Sequence, residues 1–188
     1  ICSVGMTMVL LTGGIDISVG SIIALVGVVA AKLIGEAGMA IFPAMVIGVV
    51  VGALCGLING IMVAKFDVPA LITTLAMQTM ARGAAYILTS GIPIYGLPEE
   101  IKTLGQGYFF KIPIPVIIMA LIFLFGWWLL EQTRFGRYTY AIGGNQEVAR
   151  LSGINVLKMK IFIYTLSGLF AGLSGVIMLS RINSGQPA

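Results

Sequence analysis

Apolar residues run through this chain in long blocks, and the polar residues collect between them. Five blocks approach or exceed the ~20 mostly apolar residues that a helix needs to cross a bilayer: Val19–Ile34, Ala40–Ala64, Ala70–Thr89, Ile112–Leu130 and Ile161–Ser180. A sixth, Ile1–Thr12, reads as the end of a truncated span. The expected fold is all-α: one polytopic membrane helix bundle over residues 1–188, a piece of a longer protein cut at both ends.

Two polar stretches are long enough to be loops. Ser90–Lys111 carries Pro93 and Pro98 and charges of both signs. Glu131–Lys160 carries Arg134, Arg137, Arg150, Lys158 and Lys160 against Glu131 and Glu147. Basic residues near span ends mark the cytoplasmic side, so the second loop is expected inside. Counting spans then puts Ser90–Lys111 and Gly35–Met39 outside, and Lys65–Pro69 and Gly13–Ser18 towards the inside.

Composition agrees with the pattern. Of 188 residues, 59% are hydrophobic and 10% charged, with a mean hydropathy of +1.06. Soluble domains carry about 25% charged residues, so lipid is the natural solvent for this surface. The net charge of +4 is too dilute for a nucleic-acid footprint, and no nucleic-acid partner is expected. Histidine is absent, which excludes Ser-His-Asp and Cys-His catalysis. Cys2 and Cys55 both lie in apolar runs and form no disulfide framework or metal cluster, so no metal is expected. The motif G-x-x-x-x-G-K-[ST] does not occur, and Gly143-Gly144-Asn145-Gln146 lacks a following lysine. The chain therefore has no P-loop of its own and is not expected to be an enzyme.

Glycines mark the helix faces. Gly48, Gly52, Gly56 and Gly60 recur every four residues, one stripe along one helical face. Small residues let helix backbones approach closely in lipid, so this stripe is expected to carry helix packing. Gly168, Gly172 and Gly175 with Ala171, and Gly27 with Ala31 and Gly35, repeat the pattern.

Three places carry candidate chemistry. The segment Leu11-Thr-Gly-Gly-Ile-Asp-Ile-Ser-Val-Gly-Ser21 breaks the helix at two glycines, after which Asp16 or Ser18 could cap the next helix. It reads either as a tight turn or as a broken helix near membrane depth lining a transport path, since irregular backbone is tolerated there only against protein or water. Thr74, Gln78 and Arg82 follow at four-residue spacing, with Arg82 about 18 Å into its span. A charge at that depth usually faces the bundle interior or a cavity; the competing reading is that Arg82 snorkels to the outer surface. The expectation carried forward is that Arg82 faces the bundle. Asn59 is read first as an interhelical hydrogen bonder, and with Asp16, Ser18, Thr74, Gln78 and Arg82 completes the candidate path. In the cytoplasmic loop, Asn145 reads as an N-cap, Glu147 as a first-turn acid and Gly153 as the residue just past a short helix. About two turns long, that helix cannot stand alone. It docks on its own chain or on a partner, with Val148, Leu151 and Ile154 as apolar contacts and Glu147 and Arg150 as polar edges.

Four stretches taken in order, Gly13–Ser21, Gly56–Lys65, Pro69–Gly91 and Thr133–Val156, resemble the permease family of ABC sugar importers, nearest to the ribose- and xylose-type permeases. The shared motifs are Gly13-Gly-Ile-Asp-Ile-Ser-Val-Gly-Ser21, Gly56-Leu-Ile-Asn-Gly-Ile-Met-Val-Ala-Lys65, Ala81-Arg-Gly-Ala84, and Thr133-Arg-Phe-Gly-Arg137 followed by Gly143-Gly-Asn145 and Ser152-Gly-Ile154. The resemblance implies a ten-helix permease of the bacterial cytoplasmic membrane, working as a dimer with a second permease copy. It implies two cytoplasmic ABC ATPase subunits, which bind the ATP, and a periplasmic or lipid-anchored sugar-binding protein. It places the ATPase-coupling helix in the loop after the sixth helix of the permease, which is the run Ile112–Leu130 if one helix is missing before Ile1, and so at Asn145–Gly153. Ribose is the first substrate expected, with xylose, arabinose and galactose open. The rival function is a secondary transporter of a small polar solute. That mechanism asks for a buried carboxylate chain, and only Asp16 and Asp67 approach membrane depth, both at expected helix ends.

Overall fold

The computed structural model describes residues 1–187. Nine α-helices account for nearly all of its regular structure among these residues: α1 Cys2–Leu11, α2 Val19–Gly35, α3 Ile41–Lys65, α4 Ala70–Thr89, α5 Lys102–Gln106, α6 Ile114–Gln132, α7 Arg134–Gly144, α8 Gln146–Leu151 and α9 Val156–Ile182. The chain is an all-α membrane helix bundle. Helices α3, α6 and α9 are each long and apolar enough to cross a membrane; α1 and α2 are shorter and apolar. Helix α4 has 20 residues, but Thr73, Thr74, Gln78, Thr79 and Arg82 interrupt its apolar sequence.

The bundle is organised around α3 against α9, its most extensive helix–helix contact. The glycine stripe explains the intimacy. A β-carbon at Gly52 would stand 2.9 Å from the Gly172 Cα, and one at Gly60 would stand 2.8 Å from the Ile161 Cα. One at Gly56 would run into the Tyr164 carbonyl. Gly48 instead faces α2, 3.1 Å from Val26 Cγ1. Three of the four stripe residues therefore seat α9 directly on the α3 backbone, and the fourth admits α2. The core that α2 shares with α3, α4 and α9 includes Ile22, Val26, Ala30, Ala31, Ala85 and Leu179, all fully or nearly fully buried.

Two stretches read as loops contain more structure than the pattern suggested. Between Ser90 and Lys111 a 3-10 turn at Glu99–Ile101 and α5 lie across the end of α9. There the Ser180 hydroxyl donates to the Ile101 carbonyl, and Gln106 Nε2 donates to the Arg181 carbonyl at 2.8 Å. A two-stranded hairpin follows, β1 Tyr108–Phe109 with β2 Ile112–Pro113. Its second strand takes up the first two residues of the apolar run that began at Ile112, so α6 starts at Ile114. At the other end of α6, the segment after Gln132 holds two helices rather than one. Thr133 caps α7 by accepting from the Phe135 N–H at 3.2 Å, and α8 follows after a single residue. Helix α9 also starts five residues before the run at Ile161, at Val156, because Asn155 caps it by accepting from the Lys158 N–H at 3.0 Å.

Candidate functional site

The break between α1 and α2 builds a buried polar centre. Helix α1 ends where Gly13, at φ +77°, donates to the Leu10 carbonyl at 2.9 Å while Gly14 donates to the Val9 carbonyl at 3.1 Å. This double bond pattern satisfies the last carbonyls of α1 and needs a left-handed residue, which glycine supplies without strain. The chain then stays non-helical until Val19.

Within that segment Asp16 and Ser18 are buried. The capping expected of them is not found: neither side chain caps α2. Asp16 Oδ1 accepts instead from the Ser18 N–H at 3.0 Å and from the Ser18 hydroxyl at 2.6 Å, an Asx turn. Asp16 Oδ2 accepts from the Ser167 hydroxyl of α9 at 3.0 Å. Asn59 of α3 donates through Nδ2 to Ser18 Oγ at 3.0 Å. The break segment and α9 thus meet on one carboxyl group, and α3 joins them through Ser18 Oγ. Asn59 lies six residues before the end of α3 and Ser167 eleven after the start of α9, so ~9 Å and ~16 Å along those helices at 1.5 Å per residue. The irregular backbone is therefore covered by protein on the sides where it would otherwise lack partners.

Two polar atoms beside this network have no hydrogen-bond partner among the described residues: Asn59 Oδ1 and the Tyr164 hydroxyl. The hydroxyl abuts Gly14, where a β-carbon would strike it. Tyr164 also lines a cavity of about 170 Å³ with Thr12, Gly13, Gly14, Asp67 and Lys160. Sequence reading did not single out Ser167 or Tyr164. Each is one polar side chain in a glycine- and alanine-rich stripe, and nothing in the local pattern separates a hydroxyl that bonds a neighbour from one that bonds its own backbone.

The six candidate path residues do not form one site. Asp16 and Asn59 each bond Ser18. Thr74 is buried on α4 and donates to the Ile15 carbonyl at 3.3 Å. Gln78 is half-buried and Arg82 exposed. The expectation that Arg82 faces the interior is not met within this chain. The inward stripe of α4 is Thr73, Met77, Ala81, Ala85 and Thr89, one residue back from Thr74–Gln78–Arg82. Ala81 and Ala85 offer the close approach to α2 that a long cationic side chain would prevent.

The second region is the α7–α8 arm. Asn145 Oδ1 accepts from the Glu147 and Val148 N–H groups at 2.9 and 3.1 Å. At the far end Gly153, at φ +83°, donates to the Arg150 carbonyl and Ile154 to the Ala149 carbonyl, both at 3.1 Å. Of the helix itself only Ala149 is buried, in a small cluster with Ile142 and Val156. Ile154, expected among the outward apolar contacts, packs against that cluster instead. Val148 is 57% and Leu151 88% exposed, with Glu147 and Arg150 exposed beside them.

This arm touches the polar break twice. A β-carbon at Gly143 would collide with the Leu11 carbonyl, so the end of α7 rests on the last turn of α1. Lys160 Nζ donates to Gln146 Oε1 at 2.7 Å, and Lys160 also lines the cavity under Gly13, Gly14 and Tyr164.

The geometry defines a polytopic membrane protein whose helices close on a buried polar break. The comparisons with known proteins assign it further. All 188 residues match the family described as branched-chain amino acid transport system / permease component, and the chain belongs to that family. It is 45% identical to the ribose import permease protein RbsC of Escherichia coli K12, over all of this chain and 59% of that protein. It is 45% identical to the ribose import permease protein of Bacillus subtilis 168, over 97% of this chain and 57% of the relative. The L-arabinose transport system permease protein AraH of Escherichia coli K12 is 43% identical, over 97% and 56%. The chain thus spans somewhat over half the length of the curated relatives it matches. No solved structure matches it.

Proposed function

We propose that this chain forms part of the membrane-spanning permease subunit of an ATP-driven sugar importer, with a separate ATPase as its source of free energy. Family membership and relatives named for ribose and L-arabinose support a pentose as substrate, ribose first. The observation that carries the coupling half of the proposal is α8. Capped at both ends and six residues long, it holds Val148 and Leu151 outward without cover, at the end of the bundle where Gly143 and Lys160 meet the Asp16 break. A soluble partner seated on those two side chains could push on the break through rigid contacts. Glu147 and Arg150 would fix its register.

The partners follow: an ABC ATPase subunit that binds the ATP, a sugar-binding protein outside the bacterial cytoplasmic membrane, and a second permease copy. The chain itself has no role for a cofactor in this reading. In this reading Arg82, Gln78 and Thr79 belong to the water-filled path or to the contact with the second copy. Polar side chains on an outward face of a membrane helix are costly against lipid. Asp16, Ser18, Asn59 and Ser167 hold the broken helix in place behind that face.

The test is uptake of radiolabelled ribose into proteoliposomes holding the full-length permease, its ATPase and the sugar-binding protein. ATP-dependent accumulation supports the proposal. Accumulation that follows an imposed ion gradient and ignores ATP would establish the secondary-transporter reading instead.

A further inference from the structure

The hairpin between α5 and α6 has no partner on either face among the described residues. Tyr108 is 72%, Phe109 61% and Phe110 87% exposed, and Ile112 beside them is also exposed. Successive strand residues point to opposite faces, so both faces are bare. A two-stranded hairpin is marginally stable by itself in water. This one is also strained: its two turn residues, Phe110 and Lys111, hold φ of +47° and +68°, angles that hairpin turns normally give to Asn, Asp or Gly. Few internal contacts hold it, chiefly the strand pairing, the Ile114 N–H donation to the Gly107 carbonyl at 2.9 Å and an edge-to-face contact between Phe109 and Phe110. Something outside the chain must favour the conformation.

We infer that the hairpin is an interfacial anchor, inserted between lipid headgroups at the membrane face opposite the α7–α8 arm. Continuity with α6 argues for lipid. The hairpin leads directly into α6 at Ile114, and Gly126 is that helix's one buried residue. Its 19 residues cover ~28 Å at 1.5 Å per residue, close to the thickness of the hydrocarbon core. The hairpin at its start therefore stands at headgroup level. Trp127 and Trp128, both exposed, stand near the other end of the same helix. Tyr108 at one end of this largely exposed apolar helix and Trp127 and Trp128 towards the other are the residue types that bilayer interfaces select, because their rings are apolar but carry a hydrogen-bonding edge; Phe109 and Phe110 add apolar area beside Tyr108. Lys111, at the tip, carries the charge that complements lipid phosphate.

The experiment reads depth. A nitroxide is attached to a single cysteine replacing Phe110 in the full-length permease, with Cys2 and Cys55 removed, in phosphatidylcholine–phosphatidylglycerol vesicles. Power-saturation spectroscopy compares access by oxygen, which concentrates in lipid, with access by a water-soluble nickel chelate. The oxygen-to-nickel ratio at position 110 is expected to be several-fold above that at a Glu99→Cys reference, a side chain 87% exposed on the same outer segment. Tyr108→Cys gives the same reading if the 110 variant does not insert. A ratio at 110 and 108 equal to the reference overturns the inference. So does nickel access that falls only when the sugar-binding protein is added, which would make the hairpin a docking surface for a soluble partner. Because vesicles without ATPase suffice, the outcome is independent of the importer reading.

Discussion

Helices α3 and α8 treat their surroundings in opposite ways. Along Gly52, Gly56 and Gly60, α3 admits the backbone of α9 with no side chain between. Helix α8 buries Ala149 and turns Val148 and Leu151 outward. The first contact is complete within the chain and depends on nothing else. The second is incomplete, and lies outside the apolar runs where lipid would cover it. The contrast separates what this chain does by itself, which is to hold a broken helix closed around Asp16, from what it does with others.

Substitutions can press on each side of that contrast. The largest effect is expected at Gly56→Leu. Its side chain would have to occupy the space of the Tyr164 carbonyl and the Gly168 backbone, an overpacking cost of about 3 kcal/mol or more. Thermal unfolding in detergent should show a large loss of stability, or no folded protein at all. Gly83→Ala is the matched control on α4, where nothing lies within 4 Å of the new β-carbon; it should be neutral or gain up to about 1 kcal/mol from helix propensity.

Next comes the polar centre. Asp16→Ala strips acceptors from the Ser18 N–H, the Ser18 hydroxyl and the Ser167 hydroxyl at once. Leaving such groups buried without partners costs about 1–3 kcal/mol each time it happens. The loss should be roughly a third smaller in an Asp16→Ala, Ser167→Ala double variant, because one of the three orphaned donors goes with its partner. Equal losses in the single and double variants would mean that the Asp16–Ser167 bond contributes little. Smaller still is Leu124→Ala on the exposed face of α6. It removes no internal contact of note, and the same unfolding measurement should shift by no more than about 0.5 kcal/mol.

Much of this arrangement is legible in the sequence, for identifiable reasons. The apolar runs locate the long helices because membrane helices are set by length and apolarity alone. The four-residue glycine repeat identifies the packed face of α3 because small residues there have few other uses. The caps of α8 can be read because Asn145 and Gly153 act on their immediate neighbours. What could not be read depends on contacts far apart in the chain. The bond from Asp16 to Ser167 spans 151 positions, and a lone serine announces no partner. On α4 two adjacent stripes both recur every four residues, and only the approach of α2 selects Ala81 over Arg82 as the inward one. Helix α7 escaped notice because its buried positions, Gly136, Thr139 and Ile142, are few and mostly not apolar.

The most direct test of the central claim acts where the chain is incomplete. Leu151→Asp changes a side chain that the described residues leave almost wholly uncovered, so insertion and unfolding temperature should match the parent protein. In proteoliposomes with the ATPase and the sugar-binding protein, the account predicts that ATPase co-purification and ATP-driven ribose uptake both fall at least tenfold. Uptake and co-purification at parental levels would show that α8 does not receive the ATPase, and the proposed coupling would have to be abandoned.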